Sequence, residues 1–168
     1  MIKILLSLFL LLPLSFNLFA DDHAIKMKPV INLSLAKTMA DACENDQKKS
    51  GYAPINIAIV DDGGDLVLFR RQNDAFLLSI DIATKKAISS AGIPFPTRLV
   101  EELVYGKDGK PGIIPGLAHS KDIVAFAGGL PIRTKEGILI GAIGVSGATA
   151  DEDEQCAVAA IKAIDGVL

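Results

Sequence analysis

The chain reads as an α+β protein, one antiparallel sheet of about five strands with helices packed on it. Two observations carry this. The patterns run helix, two strands, two helices, three strands, helix, without the strand-helix-strand alternation that builds a parallel sheet. Connections inside each run of strands are short, which makes successive strands antiparallel neighbours.

The elements start after a segment set aside. Lys3 gives a thin basic start, Ile4 to Leu12 is an apolar run too short to span a membrane, and Ala20 precedes Asp21-Asp22. Residues 1–20 therefore read as a signal peptide cleaved after about Ala20, with Leu18 a poor match to a small residue at the minus-three position. A periplasmic or secreted protein is the expectation. Residues 21–31 are an extended lead-in and 32–168 a single domain, long enough for a proper core.

From Asn32 or Ser34, either a good cap, Leu35, Ala36, Met39, Ala40 and Cys43 follow helical spacing, and Gly51 closes the helix after Lys48 and Lys49. Ile55 to Val60 and Leu66 to Arg70 flank the turn chemistry of Asp61-Asp62-Gly63-Gly64-Asp65 and form a hairpin. The acidic cluster lacks the alternating ligands and closing Glu of a calcium loop, so its carboxylates are turn residues. Arg71 to Leu78 connects to a second helix with Ser79 as cap and Ile80, Ala83, Ala87 and Ile88 as its apolar face; Lys85 and Lys86 read as solvated.

Pro94 ends that helix, and Thr97 caps a short one over 98–105. A glycine-rich surface loop spans 106–116 and leads to His119-Ser120. Ile123–Ala127, Leu130–Ile132 and Ile138–Ser146 are the last three strands. Thr149 and Glu152 then make a capping box for a final helix carrying Cys156, Ala157, Ala160, Ile161 and Ile164. Cys43 and Cys156 could pair in an oxidising compartment, but small apolar cysteines in helix cores are common, and two buried thiols are the expectation.

Composition excludes one class of function. The formal charge is −3, no basic block appears, and the chain has no Trp and two Tyr, so it is no nucleic-acid binder. Gly141-x-x-Gly144-x-x-Gly147 precedes a helix, yet no Lys follows and Asp151 to Glu154 would repel a phosphate. Ser146 sits in Gly-Val-Ser-Gly, outside a nucleophile elbow. Bare glycine backbone instead offers a flat apolar ligand a place to lie, with Phe126, Phe95 and Ile132 as walls and His119 as a soft nitrogen for iron.

Gly128-Gly129-Leu130-Pro131-Ile132, Ile140 to Ala148 with Gly-Ala-Ile-Gly-Val-Ser-Gly-Ala, and Asp153-Glu154-Gln155 together resemble the GlcG/HbpS-like haem-binding family. Val60 to Leu66, Ser79 to Ala83 with Lys86-Ala87, and Pro96-Thr97 extend the resemblance over nearly the whole domain. It departs at Arg71-Gln72-Asn73-Asp74-Ala75 and at Asp151-Glu152-Asp153. The resemblance implies a profilin-like domain, a homo-oligomer, haem or a related tetrapyrrole as ligand, and a sensor or membrane protein as partner. Carried over by position, the ligand wall is His119, Ser120, Gly128, Gly129, Pro131, Lys86, Ser146 and Asp153. His119 is the axial ligand of choice against His23, Met27 or a hydroxyl. The competing expectation is an enzyme or accessory protein for a small hydroxy acid or aldehyde, using Lys86, Ser146 and Asp153.

Overall fold

The computed structural model describes residues 27–168. The expected signal segment, His23 and most of the lead-in lie outside the described residues. The elements are α1 (Leu33–Ser50), β1 (Asn56–Asp61), β2 (Leu66–Arg71), α2 (Ser79–Gly92), α3 (Thr97–Tyr105), a 3-10 helix (Pro115–His119), β3 (Gly129–Arg133), β4 (Leu139–Ser146) and α4 (Ala150–Lys162). The sheet has four strands in the order β2-β1-β4-β3, every neighbouring pair antiparallel.

The α+β class stands, and the strand count is corrected by one. Ile123–Ala127 is apolar because it is covered, not because it pairs. Its Val124 amide donates to Ser89 Oγ on α2 at 2.8 Å, and Ala125 packs against Val100 and Val104 of α3. Hydrophobic burial and ladder formation leave the same mark in a five-residue run.

Period-two alternation sorts the sheet into two faces. Ile57 and Ile59 of β1, Leu130 and Ile132 of β3, and Ile143 and Val145 of β4 point to one side, where α1 and α4 cover them. Each such side chain contributes about 1.5–3 kcal/mol by leaving water. On the other side Ala58, Val60 and Ala142 meet Ala83, Ala87 and Ala91 of α2. Small residues on both partners bring α2 close to the strands.

That closeness explains part of the glycine series. A Cβ on Gly144 would stand 2.1 Å from the Ala83 carbonyl oxygen and 2.5 Å from the Ala87 amide nitrogen. The bare backbone was expected to receive a ligand or a neighbouring chain; at this position the molecule's own helix occupies it. Gly144→Ala should therefore lower stability by about 2–3 kcal/mol, read as a reduced denaturant midpoint.

Local signals account for the helix ends. Asn32 caps α1 by accepting from the Leu35 amide at 3.0 Å, and Gly51 closes it in the left-handed region. Thr149 and Glu152 form the expected capping box of α4. Two expected caps serve other purposes. Ser79 is the first residue of α2 and not its cap; its hydroxyl donates to the Phe76 carbonyl and accepts from Asn56 Nδ2. Thr97 Oγ1 accepts from the Gly129 amide at 2.9 Å and ties α3 to β3.

The cysteines require a further correction. Cys43 and Cys156 form a disulfide across 113 residues of sequence, with Cα atoms 4.6 Å apart. Both residues lie on the inner faces of α1 and α4, which pack side by side on one face of the sheet. That shared layer brings together two helices from opposite ends of the domain.

Candidate functional site

The site is built where α2 crosses the C-terminal end of β4. Lys86, expected to be solvated, is fully buried on the sheet side of α2. Its Nζ donates to Asp153 Oδ2 at 2.8 Å and to the Val145 carbonyl at 2.9 Å, and stands 4.7 Å from the centre of the Phe126 ring. An ammonium has three donors, and these three partners occupy them. Gly128 makes the arrangement fit: with φ of +117° it takes a backbone conformation that L side chains rarely adopt, and a Cβ there would lie 2.6 Å from Nζ.

Asp153 sits in the first turns of α4, where the helix dipole favours a carboxylate. Its Oδ1 accepts from the Ala148 amide at 3.1 Å. Burial pushes the Lys86 ammonium below its ordinary pKa, against the pull of Asp153. Burial likewise pushes the Asp153 carboxyl up, against Lys86 and the Ala148 amide. The pair is thus held together by mutual contact in a place that disfavours either charge alone.

A cavity of about 500 Å³ opens against this pair. Phe76, Leu77, Leu78, Ile82 and Phe126 make its apolar wall, and Ser79, Ser146 and Asp153 its polar end. Asn56 stands behind Ser79, its Nδ2 donating to Ser79 Oγ at 2.7 Å. In β1 it faces Ser146 of β4 directly across the ladder.

The sequence-predicted residues divide. Ser146 and Asp153 line the cavity, Lys86 lies behind Asp153, and Gly128 packs on Lys86. Gly129 is enclosed by α2 and Thr97, and Pro131 is half-buried in β3; neither lines the cavity. His119 ends the 3-10 helix and Ser120 follows it, both exposed and neither on the cavity wall. Of the expected apolar walls, Phe126 lines the cavity, Phe95 does not, and Ile132 points into the core on the opposite sheet face.

By sequence pattern the wall residues Phe76, Leu77 and Leu78 belong to the connection that runs from Arg71 to Leu78. Three consecutive large apolar residues fit neither a helical nor a strand period, and here they stand 69%, 74% and 75% exposed. That mismatch is the signal that marks a binding surface.

Similarity to known proteins bears on what this surface serves. Residues 31–162 match the family described as haem degrading protein HbpS-like. The chain belongs to the HbpS-like family. A 15.0 kDa protein of the dhaT-dhaS intergenic region of Citrobacter freundii is 35% identical to it over 131 residues, 78% of this chain and 89% of that protein. Among solved structures of the HbpS-like fold, the Klebsiella pneumoniae protein ORFY superposes with a TM-score of 0.75 at 31% identity, covering 86% of this chain and 97% of its own. PduOC in complex with haem superposes with a TM-score of 0.69 at 28% identity, covering 81% and 96%.

Proposed function

We propose that this HbpS-like protein binds haem or a related tetrapyrrole outside the cytoplasm, sequestering or reporting it. The observation that carries the proposal is the cavity of about 500 Å³ whose wall is Phe76, Leu77, Leu78, Ile82 and Phe126. Its size and its apolar, aromatic lining suit a flat hydrophobic ring, and its few polar groups converge at one end. The haem complex of PduOC, a relative of the same fold, supports the ligand class. The Cys43–Cys156 disulfide supports an oxidising compartment, since cytosolic thiols are kept reduced. Homo-oligomer formation and a sensor or membrane partner belong to the same proposal and rest on the family resemblance.

The residues present fit the macrocycle. Phe76, Leu77, Leu78 and Phe126 would hold its faces, while Ser79, Ser146 and Asp153 form the polar end of the cavity. Haem would supply redox-active iron; the chain itself supplies desolvation and orientation. The alternative reading, in which Lys86 meets a small hydroxy acid or aldehyde, has less support, because the donors of Lys86 are taken up within the protein.

Titration of haemin into the purified domain tests this. A Soret band that shifts and saturates at one haem per chain is expected, with the Phe76→Ser/Leu77→Ser double variant at least about tenfold weaker because it removes exposed wall without disturbing the core. Absence of any saturable change overturns the proposal.

A further inference from the structure

Resting on that reading, we infer that the cavity holds a tetrapyrrole by its ring and not by its iron, so that an iron-free porphyrin is also a ligand of this site. The usual axial ligands of haem iron are an imidazole, a thiolate, a thioether or a phenolate, and a neutral serine hydroxyl such as Ser79 or Ser146 is a weaker ligand than any of these. Every group of those four usual kinds among the described residues is placed elsewhere. His119 is exposed on the 3-10 helix, off the cavity wall. Cys43 and Cys156 are consumed in the disulfide. Met39 is buried in the core under α1, and Met27 stands exposed in the lead-in.

The phenols are equally remote. Tyr52 donates to Asp46 at 3.0 Å, and burial together with that carboxylate holds its hydroxyl well above the usual range. Tyr105 is exposed at the end of α3 and lines a different surface, beside Lys107 to Pro111. What the cavity does offer is two aromatic rings, five aliphatic side chains of which three are large, two hydroxyls and one carboxylate. Aromatic and aliphatic contact recognises a ring system whatever its centre holds.

The lining also bears on the ligand's orientation. Among the described residues no Lys or Arg lines the cavity, and Asp153, already paired with Lys86, closes its polar end. With no cation on the wall to compensate them, a porphyrin's carboxylates are placed toward solvent, on the side of the exposed Leu77 and Leu78.

The test compares protoporphyrin IX with haemin on the same protein, each dispersed as monomer, with displacement of one by the other. Dissociation constants within about tenfold of each other, mutual displacement, equal weakening of both by Phe76→Ser/Leu77→Ser and no effect of His119→Ala are expected. Haemin binding more than about a hundredfold tighter than protoporphyrin IX would overturn this inference and leave the haem-binding reading standing, with a ligand to iron from His119, from His23 outside the described residues, from a cavity hydroxyl or from a second copy of the chain. Loss of haemin affinity in His119→Ala would overturn it in the same way. Binding of both porphyrins that the wall variant does not weaken overturns their placement in the cavity. Binding of neither overturns the proposed function as well.

Discussion

Replacing both Cys43 and Cys156 by Ala is expected to destabilise the domain by about 3–5 kcal/mol, the range for a native bridge that closes a loop of about a hundred residues. For a domain of this length that lowers the melting temperature by roughly 10 °C or more. Three features place the effect near the top of the range. The bridge spans 113 residues, so it restricts nearly the whole unfolded chain. It joins α1 to α4, helices at opposite ends of the domain that share one layer. Both residues are fully buried among apolar neighbours, so Ala leaves no stranded polar group. Thermal unfolding of the variant against wild type, each with and without reductant, checks the prediction; reductant should lower the wild type toward the variant and leave the variant unmoved. Equal melting temperatures would show that the bridge does not contribute to the native fold.

Lys86→Met is expected to cost about 3–5 kcal/mol, because it leaves the Asp153 carboxylate buried without its cation. Asp153→Leu has the mirrored consequence for the ammonium, whose remaining partners are one carbonyl and one ring face. Replacing both together should recover most of the loss, since a buried ion pair exchanged for apolar groups of similar volume is often near neutral. Denaturant unfolding of the two single variants and the double variant measures the coupling directly. Single-variant costs that simply add would mean the two side chains act independently. The pair also supports the cavity: Asp153 closes its polar end and Phe126, packed on Nζ, is part of its wall. The single variants should accordingly weaken haemin as well as stability, whereas the wall variant Phe76→Ser/Leu77→Ser weakens haemin alone.

Much of the fold was legible because it rests on local rules. Asn32, Gly51 and the Thr149–Glu152 box act within four or five residues of themselves, and the structure uses them as read. The turn at Asp61–Asp65 is equally local: Asp61 Oδ1 accepts from the amides of Gly63 and Asp65 at 2.9 Å each. What local rules could not convey is which distant segment a residue meets. Ser79 and Thr97 have the chemistry of caps, yet Asn56 and Gly129 reach them first from the sheet. Lys86 reads as solvated until α2 is laid on β4, which needs the small residues Ala83, Ala87 and Gly144 to meet.

The candidate site follows the same division. Ser146 and Asp153 were identified through family-resembling motifs and do line the cavity, with Lys86 behind them. Phe76 to Leu78 carry no motif and no period, and their part follows from the tertiary placement of the connection to α2 beside Phe126. His119 has the chemistry of an iron ligand, but its exposed position on the 3-10 helix is set by packing of Leu117 and Ala118 beneath α3, not by the cavity.

A tetrapyrrole in this protein is expected to occupy the cavity between α2 and the end of β4. Amide NMR spectra recorded as haemin is added test it most directly, because the iron broadens resonances nearest to it. Loss of the Phe76–Ser79 and Ser146–Ala150 signals first is expected, with Lys107–Pro111 and Ile161–Asp165 unaffected. Broadening centred on His119–Lys121, with the cavity residues unchanged, would contradict it.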